Sequence, residues 1–281
     1  MTRAGLLLLA CLAAGCPRPA AEPPAAARIA SVTIDSDATL WALGEDVRGQ
    51  VVAVSALVDD ARYSPIVDTW PASIPRVSGS SETLIALRPT VAFVAEWSDP
   101  NGRALLERSD IDVVVLSGFG GFDDYRARVR TIAERAGAPE RGRALVAEFD
   151  EALDQVTSSA GAGLSVVSYA SGNVAAADTT FADEAAAAGL TNLPSTKGMK
   201  GHVQVGIEQL VAWAPDVLVV PCEDDCAKTE RDFATKPGIA ATPAAQHDRI
   251  IAIEPALLFA TGPRMLDVTA ALVRRLREAD P

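Results

Sequence analysis

The sequence predicts two α/β lobes, each with a mainly parallel sheet, joined by one long bridging α-helix. The main observation is a repeat, because Glu82–Val91 and Glu208–Val217 both fit the pattern Glu-x-Leu-[Ile/Val]-Ala-x-x-Pro-x-Val. Each copy predicts a short amphipathic helix that cannot continue past its proline, followed by an apolar strand. The second observation is Ala138–Val156 between the copies, whose apolar spacing predicts a helix of about five turns.

Before that helix, strand and helix patterns alternate, which is typical of a parallel sheet covered by helices. The polar residues Asp35-Ser36-Asp37 are expected to cap the first helix. A loop rich in proline and aromatic residues follows the second strand. In chain order, the predicted elements are Arg28–Ile34, Asp35–Gly44, Val51–Ser55, the first repeat copy with its strand Val91–Ala95, Gly102–Ser109, Val113–Leu116 and Asp124–Ala136.

The same alternation returns after the long helix. In chain order, the predicted elements are Leu164–Tyr169, Phe181–Ala188, the second repeat copy with its strand Val217–Val220, Ile250–Ile253 and Met265–Arg277. We therefore expect an N-terminal lobe at residues 28–137, a bridging helix within 138–160 and a C-terminal lobe at 161–281.

The composition of the 281-residue chain narrows the classes of function. Hydrophobic residues make up 49%, enough for a sizeable core, and the formal net charge of −12 is spread along the chain. No basic stripe is interleaved with aromatic residues, which argues against nucleic acid as a partner. No apolar run of about 18 residues occurs, so we expect no membrane-spanning helix.

Residues 1–15 predict an export signal, with Arg3 ahead of the apolar run Leu6–Ala14. Small residues then precede Cys16, which resembles a bacterial lipoprotein cleavage site, so we expect Cys16 to carry a lipid. The alternative is cleavage after a small residue, which would release a soluble periplasmic protein. Residues 16–27 form a Pro/Ala tether, of which Pro17–Ala27 reaches roughly 34 Å when extended. We expect a periplasmic protein that is lipid-anchored to a bacterial membrane.

Two further cysteines, Cys222 and Cys226, flank three acidic residues. In an oxidising compartment, a short-loop disulfide is the leading interpretation of this spacing. Metal binding through both thiols and the acidic residues is the alternative, although no Cys/His pair elsewhere completes a zinc site.

Four segments resemble, in the same order along the chain, motifs of the periplasmic solute-binding proteins of ABC importers for vitamin B12, iron-siderophores and haem. The segments are Ser36–Gly44, Ile74–Gly79, Thr180–Gly189 with Asn192 beyond it, and Thr261–Arg264. The resemblance runs from about residue 28 to residue 277. It implies the class III architecture, with two Rossmann-like lobes around a ligand cleft. It also implies a monomer that binds and delivers a ligand without catalysis or an intrinsic cofactor.

By the same resemblance, Glu82 and Glu208 lie on the rims of the two lobes and bind arginines of an ABC permease dimer, which works with its ATPase. Carboxylate–arginine pairs are bidentate and therefore orient the two partners. The local alternative is that each glutamate only stabilises its helix dipole. A capping box would need Ser or Thr three residues earlier, where the chain has Gly79 and Val205.

Large flat ligands favour cavities with aromatic walls and a few polar groups. Trp97 follows a predicted strand at its carboxyl end, where open α/β sheets bind ligands, and Tyr63 and Trp70 follow another. Trp41 is helical and fits either the core or the cleft. Phe119 lies in a glycine-rich loop that lacks the spacing of a nucleotide loop and is expected at the cleft rim.

Arg76 and His202 each lie six residues before a repeat glutamate, where B12-binding relatives tend to have tryptophan. Arg76 is a candidate for binding an anionic group of the ligand, and His202 is a candidate for coordinating iron or cobalt. The alternatives are a solvated arginine and a surface histidine.

The resemblance implies cobalamin or a ferric siderophore as the transported ligand. Haem is the next candidate, because Tyr63 in Arg62–Pro65 resembles a Tyr-Pro loop that supplies an axial oxygen in some haem-binding relatives. A zinc or manganese receptor would need more histidines than the two present. A tethered interaction module without a small ligand is a further alternative. A hydrolase is disfavoured, because no G-x-S-x-G segment occurs and only His202 and His247 are available as the base.

Overall fold

A computed structural model describes residues 27–279. The predicted signal segment 1–15, Cys16 and nearly all of the tether therefore lie outside the described residues. The strands are β1 Ile29–Ser31, β2 Val51–Ser55, β3 Arg76–Val77, β4 Val91–Ala95, β5 Asp112–Leu116, β6 Ser165–Ala170, β7 Asn173–Ala175, β8 Thr191–Asn192, β9 His202–Gln204, β10 Val217–Pro221 and β11 Ile250–Ile253. The α-helices are α1 Ile34–Ala42, α2 Glu45–Arg48, α3 Ser81–Leu87, α4 Pro100–Glu107, α5 Phe122–Arg135, α6 Pro139–Val156, α7 Thr180–Ala187, α8 Leu193–Thr196, α9 Ile207–Trp213, α10 Cys226–Ala234, α11 Pro243–Gln246, α12 Pro255–Leu258 and α13 Met265–Ala279.

The strands form two sheets, one in each half of the chain. The first has the order β3-β2-β1-β4-β5, and every pairing in it is parallel. The second has the order β11-β10-β6-β7-β9, with β8 also paired to β6. Its β10–β11, β10–β6 and β6–β8 pairings are parallel, whereas β7 pairs antiparallel with both β6 and β9. This is the predicted class III architecture, with one strand reversed in the second sheet.

The long predicted helix is α6, with 18 residues. It packs along α5, and Gly142 allows this approach because a Cβ there would collide with the Cβ of Ala133. Phe149 on α6 stacks against Phe122 and Tyr125 of α5. The same apolar cluster includes Met265 at the start of α13, so it joins residues from both halves of the chain.

The repeat is preserved in the backbone as well as in the sequence. Helices α3 and α9 have seven residues each, and each buries one leucine, Leu84 or Leu210. Both end on a residue with φ 48° and ψ 55°, Arg88 in one copy and Ala214 in the other. Each of these residues precedes a proline, which disfavours the right-handed helical conformation there. The chain therefore leaves both helices through the left-handed conformation.

Helix α1 begins earlier than predicted. Its N-cap is Thr33, whose hydroxyl accepts the backbone N–H of Ser36. Ser36 and Asp37, which were predicted to cap the helix, are instead buried within its first turns. Asp37 accepts the N–H of Ser55 at 3.0 Å, and burial raises the pKa of Asp37 to about 7. Between residues 27 and 279, no helix has the length and apolarity needed to cross a bilayer.

Candidate functional site: a cavity between the lobes

A cavity of about 270 Å³ lies between the two lobes. Its walls come from both lobes, including Tyr125 of α5, and from Leu145 of the bridging helix α6. The lining residues are Ile34, Asp35, Ala38, Thr39, Ala42, Arg62, Tyr63, Pro65, Tyr125, Leu145, Pro255, Ala256, Phe259, Ala260, Thr261, Gly262, Pro263 and Arg264. Most of this lining is apolar, with a small number of charged and hydroxyl groups, which is typical of a small-molecule site.

Tyr63 brings an exposed phenol to this cavity from the N-terminal lobe. It is 53% exposed and lies in the loop after β2, where its N–H and that of Ser64 both bond to the carbonyl of Asp60. The guanidinium of Arg62 lies 5.3 Å from the centre of the Tyr63 ring. It also forms a salt bridge to Asp60 at 2.6 Å. Phe259, which is 50% exposed, contributes an aromatic ring from the C-terminal lobe.

A buried ion pair lies beside the cavity. Arg128 donates two hydrogen bonds to the carboxylate of Asp35, at 2.9 and 3.1 Å. The side chains are 3% and 5% exposed, so both charges are removed from water. Arg128 neutralises the carboxylate of Asp35, and the other two charged residues in the lining are arginines.

Those arginines face the cavity from opposite lobes. Arg62 belongs to the N-terminal lobe, and Arg264 belongs to the turn before α13. The Nε atom of Arg264 lies 3.7 Å from a carboxylate oxygen of Asp267, at the outer limit of an ion pair. Guanidinium groups favour planar carboxylates, so the lining suits an apolar ligand that carries anionic groups.

Two predicted aromatic residues form a pair at the carboxyl ends of β4 and β5. The ring of Trp97 lies 4.7 Å from the ring of Phe119, and Trp97 is 69% exposed. The guanidinium of Arg128 lies 4.2 Å from the centre of the Phe119 ring. Neither ring is in the cavity lining, and the pair is linked to Asp35 in the cavity wall through Arg128.

Three of the predicted ligand-binding residues are not in the cavity lining, namely Trp41, Trp70 and Arg76. Trp70 is 3% exposed, and its ring belongs to the core and not to the cleft wall predicted for it. The ring of Trp41 packs edge-on against the ring of Trp70, with 5.1 Å between the ring centres. The guanidinium of Arg48 lies over the Trp41 ring, 3.8 Å from its centre.

Arg76 uses all five of its N–H donors within the same lobe. Its Nε and Nη2 bond to the carboxylate of Asp59, and the other donors bond to the carbonyls of Trp70, Pro71 and Ile74. Arg76 thus holds the loop that carries Tyr63, and the anionic ligand predicted for Arg76 would have to displace these bonds.

His202 and the cysteines lie in the C-terminal lobe. His202 is exposed on β9 and is not part of the cavity lining. Cys222 and Cys226 are joined by a disulfide, with Cα atoms 5.1 Å apart. Over residues 27–279, no cluster of three or more His, Cys, Asp or Glu residues is arranged to hold a metal ion.

Sequence reasoning missed most of the C-terminal wall. Phe259 precedes the Thr261–Arg264 turn and Arg264 ends it, and this turn was recognised only as a family motif. Asp35 was interpreted as a helix cap, and Arg128 lies in a helix with no motif at all. The pairing of Asp35 with Arg128 spans 93 positions in sequence, so no local pattern points to it.

Two α/β lobes with a mainly apolar cavity between them define a receptor that captures a small ligand. The sequence profile of the periplasmic binding protein family matches residues 29–257. The chain belongs to this family. Its members are transport proteins rather than enzymes. As substrate-binding proteins of ABC importers they work in the periplasm with a permease and its ATPase. A comparison with curated protein sequences finds no match.

Solved structures with this architecture include binding proteins for different ligands. The periplasmic heme-binding protein RhuT from Roseiflexus sp. RS-1 is 25% identical, with a TM-score of 0.70 over 90% of this chain and 99% of that one. The heme-binding protein HutB of Vibrio cholerae is 22% identical, with a TM-score of 0.70 over 92% and 100%. The vitamin B12-binding protein BtuF of Vibrio cholerae is 18% identical, with a TM-score of 0.69 over 90% and 97%.

Proposed function

We propose that this protein captures an anionic iron chelate between its lobes, with haem as the best-supported ligand, and delivers it to an ABC permease. The observation that carries the proposal is the exposed phenol of Tyr63 at a mainly apolar cavity. A tyrosine oxygen is a known axial ligand for haem iron. The similarity to the heme-binding protein RhuT supports the same choice.

The remaining lining fits the other parts of a haem. Phe259 and Pro263 offer apolar surface to a flat ring. Arg62, which is 77% exposed although it pairs with Asp60, and Arg264 offer guanidinium groups to its two carboxylates from opposite sides. A carboxylate-bearing ferric siderophore is the second candidate, because the same two arginines suit it. Cobalamin has less support, since Arg76 and His202 occupy the positions where B12-binding relatives tend to have tryptophan, and neither residue is in the cavity lining.

Titration of the purified protein with ferric haem tests the proposal. Wild-type protein is expected to give a shifted Soret band at one equivalent, and Tyr63→Phe to weaken binding by about tenfold or more, because it removes the oxygen that ligates the iron. Tyr169→Phe is the matched control, since Tyr169 packs against Phe233 away from the cavity. Parallel titrations with ferric siderophores and cobalamin complete the comparison. Saturable binding of one of these, with no response to haem, would reject haem.

We also propose that Glu82 and Glu208 dock the two lobes on the permease. Both side chains are exposed in the first turn of matching helices, α3 and α9. The carboxylate of Glu82 accepts hydrogen bonds from the backbone N–H of Glu82 itself and from the hydroxyl of Ser80, the latter at 2.9 Å. Both bonds lower the pKa of Glu82. Glu82 is therefore held as a carboxylate, the form that pairs with arginine.

The N-terminal segment gives the last part of the proposal, a lipid anchor at Cys16. The support is the apolar run Leu6–Ala14 followed by small residues and Cys16. Fractionation of cells tests it. Wild-type protein should sediment with membranes and incorporate labelled palmitate, whereas Cys16→Ser should do neither. Equal release of both proteins into the soluble periplasmic fraction would reject the anchor.

A further inference from the structure

We propose that Arg128 on α5 is a positioning residue that holds the two walls of the ligand cavity together and so sets the separation of the lobes. This inference rests on the proposed function, since it concerns the same cavity. It does not depend on which ligand the cavity holds.

The contacts of Arg128 cross from one lobe to the other. Its guanidinium bonds bidentately to Asp35 in the N-terminal wall and donates at 2.6 Å to the backbone carbonyl of Thr261 in the C-terminal wall. A further N–H bonds to the carbonyl of Gly118. Both Asp35 and Thr261 line the cavity. The side chain of Arg128 therefore joins the N-terminal wall of the cavity to its C-terminal wall.

The same helix is held to the C-terminal lobe at a second point. The backbone N–H of Phe122, in the first turn of α5, donates to the carboxylate of Asp183 on α7 at 2.8 Å. Gly121 lies so close to this carboxylate that a Cβ would collide with it. Asp183 thus caps a helix that belongs to the other lobe. The contacts at Phe122 and Arg128 therefore tie α5 to the C-terminal lobe at two points.

The bonds that Arg128 makes are unequal, which determines where the lobes separate. The two bonds to Asp35 join opposite charges, whereas the bond to Thr261 joins a cation to a neutral carbonyl. Phe119 also packs beneath the guanidinium in the N-terminal lobe. When the permease opens the cleft, we expect Arg128 to stay with Asp35 and the bond to Thr261 to break.

Arg128→Lys tests this assignment. Lysine keeps the charge but cannot reproduce a planar fork that reaches Asp35, Gly118 and Thr261 together. Arg126→Lys is the matched control, because Arg126 lies on the same helix and pairs with Asp150 of α6 rather than with the C-terminal lobe. The charge-neutral double substitution Arg128→Gln with Asp35→Asn serves as a second variant if Arg128→Lys does not fold.

Hydrogen–deuterium exchange of the unliganded protein is the first measurement. The backbone N–H groups of Met265 and Leu266, which bond to the carbonyls of Gly262 and Pro263, report on the turn that Arg128 holds. They are expected to exchange about tenfold faster in Arg128→Lys and at the wild-type rate in Arg126→Lys. Amides of β10 and β11 should be unchanged in both variants.

Ferric haem dissociation is the second measurement. Arg128→Lys should release haem about tenfold faster with an unchanged Soret maximum, because the Tyr63 ligand is intact. Unchanged exchange at Met265 and Leu266 would overturn the assignment, as would faster exchange spread equally through β10 and β11. If wild-type protein fails to bind haem, the ligand proposal falls, and the exchange result still decides the role of Arg128.

Discussion

Glu184 on α7 is a carboxylic acid in the interior of the C-terminal lobe. It is fully buried, and within the described part of the chain neither carboxyl oxygen has a hydrogen-bond partner. Burial, with a further contribution from Asp183, raises the pKa of Glu184 well above its usual value. The folded protein therefore keeps the proton on Glu184 at pH values where the unfolded chain has already lost it.

This difference makes stability depend on pH, with a defined sign. Because the folded state binds the extra proton, the free energy of unfolding falls as pH rises from the unfolded pKa near 4.5 toward the raised folded pKa. Glu184→Met fills a similar volume without a titrating group. We expect it to raise the free energy of unfolding at pH 7 by about 1–3 kcal/mol, and by less as pH approaches 4.5.

Urea unfolding of both proteins between pH 4.5 and pH 8 measures the effect. Glu151→Met, at an exposed position on α6, is the control for the same change of side chain at the protein surface. A gain from Glu184→Met that stays constant across this range would show that Glu184 does not carry a proton in the folded state.

The candidate site was partly predictable at the level of single residues. Tyr63 was found because a local motif placed it on a loop after a strand, and the structure has it in the cavity lining. Arg76 was a candidate for an anionic ligand because of its position six residues before Glu82, with a solvated arginine as the alternative. In the structure it bonds to Asp59 and to three carbonyls of its own loop. Backbone carbonyls of a loop have no signature in sequence, so an arginine that bonds to its own loop and an arginine that binds a ligand look alike there.

At the scale of elements, the two copies of the repeat make a test of helix termination possible. Ala214 ends α9 in the left-handed conformation, which costs an L-residue with a Cβ about 1–2 kcal/mol. Glycine adopts this conformation freely but loses more entropy on folding, so part of the gain is offset. We expect Ala214→Gly to stabilise the protein by about 0.5–1 kcal/mol.

Thermal unfolding measures this gain, and Ala212→Gly supplies the opposite case. Ala212 is exposed within the same helix, where glycine should cost about 1 kcal/mol. The two substitutions lie two residues apart in sequence and should shift the melting temperature in opposite directions. Destabilisation by both would mean that the end of α9 does not hold Ala214 in the left-handed conformation.

Element order was predictable because apolar periodicity and proline positions act locally. The reversed strand β7 was missed, since it is only three residues long and follows a turn at Ser171 and Gly172, both with positive φ. Its pairing with β9 joins segments about thirty residues apart, so its direction depends on tertiary contacts. The early start of α1 has a different cause. Several neighbouring polar residues could cap this helix, and in the structure Thr33 is the N-cap.

At the scale of the whole molecule, the two lobes are alike where they are proposed to meet the permease and different where they meet the ligand. The helices α3 and α9 repeat in length, in buried leucine and in terminal conformation. The cavity walls do not repeat. The N-terminal wall has the phenol of Tyr63, whereas the aromatic residue of the C-terminal wall is Phe259, which has no hydroxyl. This division is expected of a duplicated receptor whose partner is a dimer, because two similar docking sites can be kept while the cleft changes with its ligand.

Charge reversal separates docking from ligand binding. Glu82→Lys together with Glu208→Lys places cations opposite the proposed permease arginines, so we expect haem uptake by the reconstituted transporter to fall by about tenfold or more. Haem affinity should stay within about twofold of wild type, since neither residue lines the cavity. Glu134→Lys with Glu151→Lys is the control, because it makes the same change in net charge at exposed positions on α5 and α6. Normal uptake by the Glu82/Glu208 variant, or an equal loss in the control, would rule out the paired glutamates as the docking contacts.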